Sequence, residues 1–117
     1  WKADSGMLAA MHALAALGET QAGAGLSSLL AKFIRYVPSG EINTRVDDAA
    51  AVIERIRAQY ADTGATIDTL DGLTVATDAW WFNVRPSNTE PLLRLNAEAS
   101  SVEEMESLRD TVLALMA

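Results

Sequence analysis

Two stretches of alternating residues, Trp80-Trp81-Phe82-Asn83-Val84 and Leu92-Leu93-Arg94-Leu95-Asn96-Ala97, bracket the loop Arg85-Pro86-Ser87-Asn88-Thr89-Glu90-Pro91. A period of two turns alternate side chains to opposite faces, so both stretches read as strands and this half of the chain must build a sheet. The loop between them gathers one guanidinium, two hydroxyls and one amide within five residues, and its backbone N–H groups add to these. A donor-rich concavity beside an arginine suits a phosphate dianion. Two prolines limit how far the loop wanders. Each residue also has a plainer use. Arg85 is either a fork for phosphate or a surface arginine paired with an acid. Ser87 and Thr89 either donate to a ligand or hydrogen-bond the turn backbone. Asn88 either takes a left-handed backbone or offers its amide. Glu90 is expected to have a structural role, holding the loop through a backbone N–H or pairing with an arginine.

The neighbouring pattern sets the fold class. Residues 5–18 read as a helix capped by Asp4 or Ser5, with Met7, Leu8, Met11 and Leu14 recurring at helical spacing and Gly18 at its end. Residues 19–25 form a loose connection. A second helix follows, with Ser27 as cap and Leu29, Leu30, Phe33 and Ile34 on one face. Tyr36-Val37-Pro38-Ser39-Gly40 reads as a linker. Ile42, Thr44 and Val46 alternate as a strand. Asp47 or Asp48 caps a helix presenting Ala49, Val52, Ile53, Ile56 and Tyr60, which ends near Gly64. Ile67–Leu70 and Leu73–Ala76 flank Asp71-Gly72, the signature of a hairpin with a type I′ turn. Ser101 and Glu104 form a capping box for a last helix striped by Val102, Met105, Leu108, Val112 and Leu115. The domain expected is α+β, a four- or five-stranded antiparallel sheet with helices on one face.

Charge narrows the partners. The formal net charge is −7. Residues 1–35 carry three basic and two acidic side chains, whereas residues 36–117 carry six basic and fourteen acidic. So acidic a surface argues against nucleic acid, but not against one phosphate held by donors at contact distance. Arg85 and Arg94 flank the loop within this acid-rich half, which favours a local anion site, although Arg94 shares a strand face with Asn96 and Glu98 that reads as solvated. There is no cysteine and only one histidine, His12. Thiolate metal sites, disulfides and a Ser-His-Asp triad find no support, and no metal-ligand cluster or P-loop is present. No segment approaches membrane-spanning length. Trp80 and Phe82 share one face, where core packing or a domain contact is expected rather than a sugar platform. The start, Trp1-Lys2-Ala3-Asp4, has neither an initiator methionine nor a basic-then-apolar leader, so a piece of a longer protein is expected.

The run Arg85-Pro86-Ser87-Asn88-Thr89-Glu90-Pro91, with Asp71-Gly72 before it and Ala97-Glu98-Ala99 and a helix after it, resembles the phosphate-binding loop of the α-D-phosphohexomutase superfamily, the phosphomannomutase and phosphoglucomutase enzymes. The resemblance covers residue 36 to the end well and the first 35 residues more loosely. It implies a TATA-box-binding-protein-like C-terminal domain over 41–117, a hinge at 36–40, and a helical tail of the third mutase domain over 1–35. It implies that Arg85, Ser87, Asn88 and Thr89 bind a phosphosugar's phosphate, and that no residue here is catalytic. Asn88, where phosphoglucosamine mutases usually show glycine, favours the phosphomannomutase/phosphoglucomutase branch. Phosphoglucosamine mutase and a non-catalytic anion-binding or interaction module of the same fold remain the alternatives. The family's phosphorylated serine, its Asp-Gly-Asp-Gly-Asp magnesium loop and its sugar loop are not in these residues. The resemblance therefore places Mg2+ outside this chain, makes the chain inactive alone, and implies a cytoplasmic enzyme with no membrane partner. The apolar face of the first helix, separated from its sheet, is expected to self-associate or pack poorly.

Overall fold

A computed structural model describes residues 5–20 and 23–117. The chain divides into two compact units, Trp1–Arg35 and Tyr36–Ala117. The first holds α1 (Gly6–Gly18) and α2 (Leu26–Leu30). Ser5 caps α1, its hydroxyl oxygen accepting from the Leu8 N–H. The other cap candidate, Asp4, and part of the connection at 19–25 lie outside the described residues. Met7, Leu8, Met11 and Leu14 are all exposed. The second helix differs from expectation. It starts one residue before Ser27, is capped by the Gly25 backbone without a side-chain bond, and stops at Leu30, leaving Phe33 and Ile34 exposed beyond it. A single turn with no buried residue gains too little from packing to propagate.

The second unit is one sheet with two helices on one face. Its elements are β1 (Val37–Pro38), β2 (Ile42–Arg45), α3 (Ala49–Tyr60), β3 (Thr66–Asp68), β4 (Leu73–Ala76), β5 (Trp80–Pro86), β6 (Leu92–Ala99) and α4 (Val102–Met116). The strands run in the order β1-β6-β5-β4-β3, all antiparallel, with β2 also paired to β6. The sheet thus has six strands, more than the four or five expected. The extra one is Val37–Pro38, in the segment read as linker. It pairs with Glu98 and Ala99, and Ser39 extends the contact by donating its N–H to the Ala97 carbonyl at 2.8 Å while its hydroxyl oxygen accepts from the Ala97 N–H at 2.9 Å. Proline fits there because an edge strand leaves one row of its backbone groups unpaired.

Alternation in the central strands does the core building. Leu73, Val75, Phe82, Val84, Leu93 and Leu95 are fully buried against Ile56 of α3 and Val112 of α4. Phe82 lies edge-on to Tyr60 at 5.1 Å between ring centroids and stacked near Trp80 at 6.2 Å. Burial pushes the Tyr60 hydroxyl above its ordinary pKa. The aromatic pair Trp80 and Phe82 therefore belongs to the core, as the sequence suggested. The caps also fall where expected: Asp48 Oδ1 accepts from Ala51 N–H, and Ser101 Oγ from Glu104 N–H. The capping box is only half built, because the Glu104 carboxylate accepts from the Ser100 hydroxyl instead of turning back to Ser101. Val102 of the last stripe is exposed, and Met116 is buried in its place alongside Met105, Leu108 and Val112. Among the described residues no helix is long and apolar enough to cross a membrane.

The β3–β4 connection is not a two-residue type I′ turn. Asp68 pairs with Thr74, leaving Thr69 to Leu73 outside the β3–β4 register. A type I′ turn needs two residues at positive φ, and here Gly72 alone has one, +71°. Asp68 Oδ1 instead accepts from the Leu70 N–H and opens the turn. Gly72 presses on β5: a Cβ there would stand 2.5 Å from the Val84 carbonyl oxygen and 2.7 Å from Arg85 Cβ. Gly72→Ala is expected to cost about 1–2 kcal/mol through strain and overpacking, and to push the turn off Arg85. A lower thermal midpoint together with weaker phosphate binding checks it.

Candidate phosphate-binding site

The sheet face opposite the helices is built from three cross-strand rungs: Trp81 opposite Glu98, Asn83 opposite Asn96, and Arg85 opposite Arg94. The Trp81 indole N–H donates to Glu98 Oε2 at 3.1 Å. The Asn83 amide donates to the Asp71 carbonyl at 2.7 Å and to Thr74 Oγ1 at 3.0 Å, which ties the β3–β4 turn down beside the next rung. That rung carries two guanidinium groups at the mouth of the Ser87–Pro91 loop.

Arg85, Ser87, Asn88 and Thr89, the four residues singled out in the sequence, line one cleft of about 380 Å³, with Asp71 and Gly72 at its wall. The loop is short and internally braced: Ser87 N–H donates to the Leu92 carbonyl at 2.9 Å and Leu92 N–H to the Glu90 carbonyl at 2.8 Å. Asn88 does not take the left-handed backbone, since no described residue other than glycine has positive φ. Among the described residues, the Asn88 amide and the Thr89 hydroxyl have no hydrogen-bond partner, nor have the backbone N–H groups of Asn88 and Glu90. The same holds for the Glu90 side chain, which is exposed and neither holds the loop nor pairs with an arginine.

Arg94, which flanks the loop as the sequence showed but was not counted among the site residues, joins them in the structure. Its side chain is about a third exposed and lines the same cleft. Its Nη2 donates to Ser87 Oγ at 3.3 Å, and its Nε is buried with no partner. A buried donor left unpaired costs free energy that an incoming anion can repay. The signal was available: Arg94 lies in exact alternation with Asn96 and Glu98, on the strand face that Arg85 also occupies across the loop.

Carboxylates balance the two cations. Asp71 Oδ2 stands 3.4 Å from Arg85 Nη1, and Glu41 Oε2 stands 3.6 Å from Arg85 Nη2 and 3.8 Å from Arg94 Nη1. Arg85 thus has the acid partners that one reading of the sequence expected, and it lines the cleft together with the loop. A wider concavity of about 690 Å³ opens beside the start of α3, lined by Arg45, Asp47, Asp48 and Arg55 among others. Two aspartates stand among its two arginines, against one aspartate and two arginines in the lining of the narrower cleft, so the narrower cleft is the better anion site.

The family profile described as phosphoglucomutase/phosphomannomutase, C-terminal domain, matches residues 41–115. The chain belongs to this phosphohexomutase family. It is 40% identical over 114 residues to a phosphomannomutase of Methanocaldococcus jannaschii, covering 97% of this chain and 24% of that protein. It is 45% identical over 97 residues to a protein of Xanthomonas campestris named for phosphohexose mutases, covering 82% of this chain and 21% of that one. A crystal structure of a phosphoglucomutase/phosphomannomutase family protein from Burkholderia thailandensis superposes with a TM-score of 0.67 at 27% identity, over 98% of this chain and 24% of that one. The chain thus spans about a quarter of the length of these phosphohexomutase relatives, and the loop and its arginine rung fall inside the matched C-terminal domain.

Proposed function

We propose that this chain is the C-terminal part of a phosphomannomutase/phosphoglucomutase, an isomerase that moves a phosphoryl group between O1 and O6 of a hexose through a phosphoserine. In this reading Arg85, Ser87, Asn88 and Thr89, joined by Arg94, grip the substrate phosphate that is not being transferred. The observation that carries it is the convergence of two guanidinium groups and a short loop of unpartnered donors in one cleft. Two forks and several N–H and O–H donors match the geometry and charge of a phosphate dianion. The chain's contribution to catalysis is then positioning: it fixes the sugar by its far phosphate and excludes water as the cleft closes.

Residues 1–35 are the proposed tail of the preceding domain. The hinge at 36–40 is proposed to pivot ahead of Val37, because β1 is hydrogen-bonded to β6. Magnesium and the phosphoserine belong in this reading to other parts of the complete, cytoplasmic enzyme.

Titrating the 117-residue chain with inorganic phosphate, followed by amide NMR, tests the reading. Shifts are expected to centre on Ser87 to Glu90 and to report weak binding, because the site is open to water and salt and the sugar contacts are elsewhere. The same chain is expected to give no turnover of mannose 1-phosphate or glucose 1-phosphate with a hexose 1,6-bisphosphate activator. Shifts confined to other regions, or turnover that survives repurification, would refute it.

A further inference from the structure

Arg85 and Arg94 are direct cross-strand partners, and like charges placed opposite each other in a sheet repel. One carboxylate oxygen answers both. Glu41 Oε2 lies 3.6 Å from Arg85 Nη2 and 3.8 Å from Arg94 Nη1. These distances are short enough for strong Coulombic attraction and too long for hydrogen bonds, so Glu41 neutralises the pair without using up its N–H donors. Its position is built in. Glu41 immediately precedes β2, where Asn43 is in register with Arg94, and the Asn43 amide reaches Glu41 Oε1 at 3.5 Å. Glu41 and both arginines are each only about a third exposed, so solvent screens the cluster incompletely.

We propose that Glu41 is the internal counter-anion of the phosphate cleft, holding the Arg85 and Arg94 guanidinium groups ready before phosphate binds and weakening the grip once phosphate is bound, so that it can leave. The proposal rests on the phosphate reading and adds the means by which that grip stays reversible. A bare arginine pair would attract a dianion more strongly. With Glu41 and Asp71 beside it, the four side chains carry no formal net charge, and an incoming phosphate gains from the donors while working against two carboxylates. A domain that must capture and release a phosphate in each catalytic cycle needs such a balance, because tighter ground-state binding alone does not speed a reaction.

The test compares the wild-type chain with Glu41→Gln and Glu41→Asp by NMR titration with inorganic phosphate, at fixed pH and at two salt concentrations. Glu41→Gln removes the charge and keeps the size, and it is expected to bind phosphate about three- to tenfold more tightly, with the gain shrinking at high salt. Glu41→Asp keeps the charge and is expected to stay near wild type. Unchanged or weaker binding by Glu41→Gln overturns the proposal, as does equal tightening by Glu41→Asp, which would separate the effect from charge. If all three bind alike at Ser87 to Glu90, only the role of Glu41 falls; if none binds there, the phosphate reading falls and takes this proposal with it.

Discussion

Arg85→Ala is expected to lower the affinity of the chain for inorganic phosphate about ten- to a hundredfold, the equivalent of the ~1.5–3 kcal/mol carried by a charge-assisted contact. Arg85 stands at the end of β5 with its guanidinium in the cleft, held between Asp71 and Glu41. Removing it leaves Arg94 as the single cation of the rung and leaves both carboxylates in place, so the local charge turns negative as well as losing a fork. In the complete enzyme the same change is expected to reduce kcat/KM by a similar factor, while the serine still accepts phosphate, since that chemistry lies in another domain. Arg85→Lys should restore only part of the loss: an ammonium keeps the charge but cannot make the two-pronged contact. The thermal midpoint separates binding from folding. Arg85 is a partly exposed residue on the polar face of the sheet, so its loss should hardly move the midpoint. If phosphate affinity is unchanged, or falls only as far as stability does, the grip is not at this loop.

Phe82→Ala is expected to be the most damaging single change to stability, at about 3–5 kcal/mol. Phe82 is fully buried at the centre of β5, with Tyr60 edge-on from α3 and Trp80 beside it. Truncation removes the ring's buried area and leaves a cavity between sheet and helices that the strand's hydrogen bonds prevent from collapsing. A domain of this size loses roughly 4–8 °C of thermal midpoint per kcal/mol, so a thermal melt by circular dichroism should show a fall of tens of degrees or an unfolded chain. A shift of only a few degrees would mean that Phe82 is not the keystone of this core. Phosphate binding should fail with folding in this variant, because Arg85 is three residues along the same strand; in Arg85→Ala it should fail without it.

Local interactions made most of the elements legible. The caps at Ser5, Asp48 and Ser101, the alternation through β5 and β6, and the Met105, Leu108 and Val112 part of the α4 stripe each involve residues within a turn or a strand of one another, and all stand where the residue pattern puts them. The short helix α2 is where such signals misled: Ser27 and the apolar spacing to Ile34 describe a helix, but nothing buried rewards it. The β3–β4 turn misled for a related reason, since Asp71-Gly72 suits a tight hairpin while the pairing of Asp68 with Thr74 places the turn earlier and lengthens it.

The run from Arg85 to Pro91, with the alternating stretches and short motifs around it, carried by itself the resemblance to the family, the strand–loop–strand frame and four of the residues that line the cleft. Contacts between residues far apart in the chain decided the rest. That Val37–Pro38 forms a sixth strand follows from the free edge of β6, which only the folded sheet presents. That Arg94 joins the cleft follows from the register of β5 on β6, and that Glu41 and Asp71 balance the two arginines follows from β2 and the β3–β4 turn arriving on either side of that rung. Charge acts through space rather than along the chain, so the loop's donors could be read from seven consecutive residues, whereas the second arginine and the electrostatic balance of the cleft existed only once the sheet had brought four separate segments together.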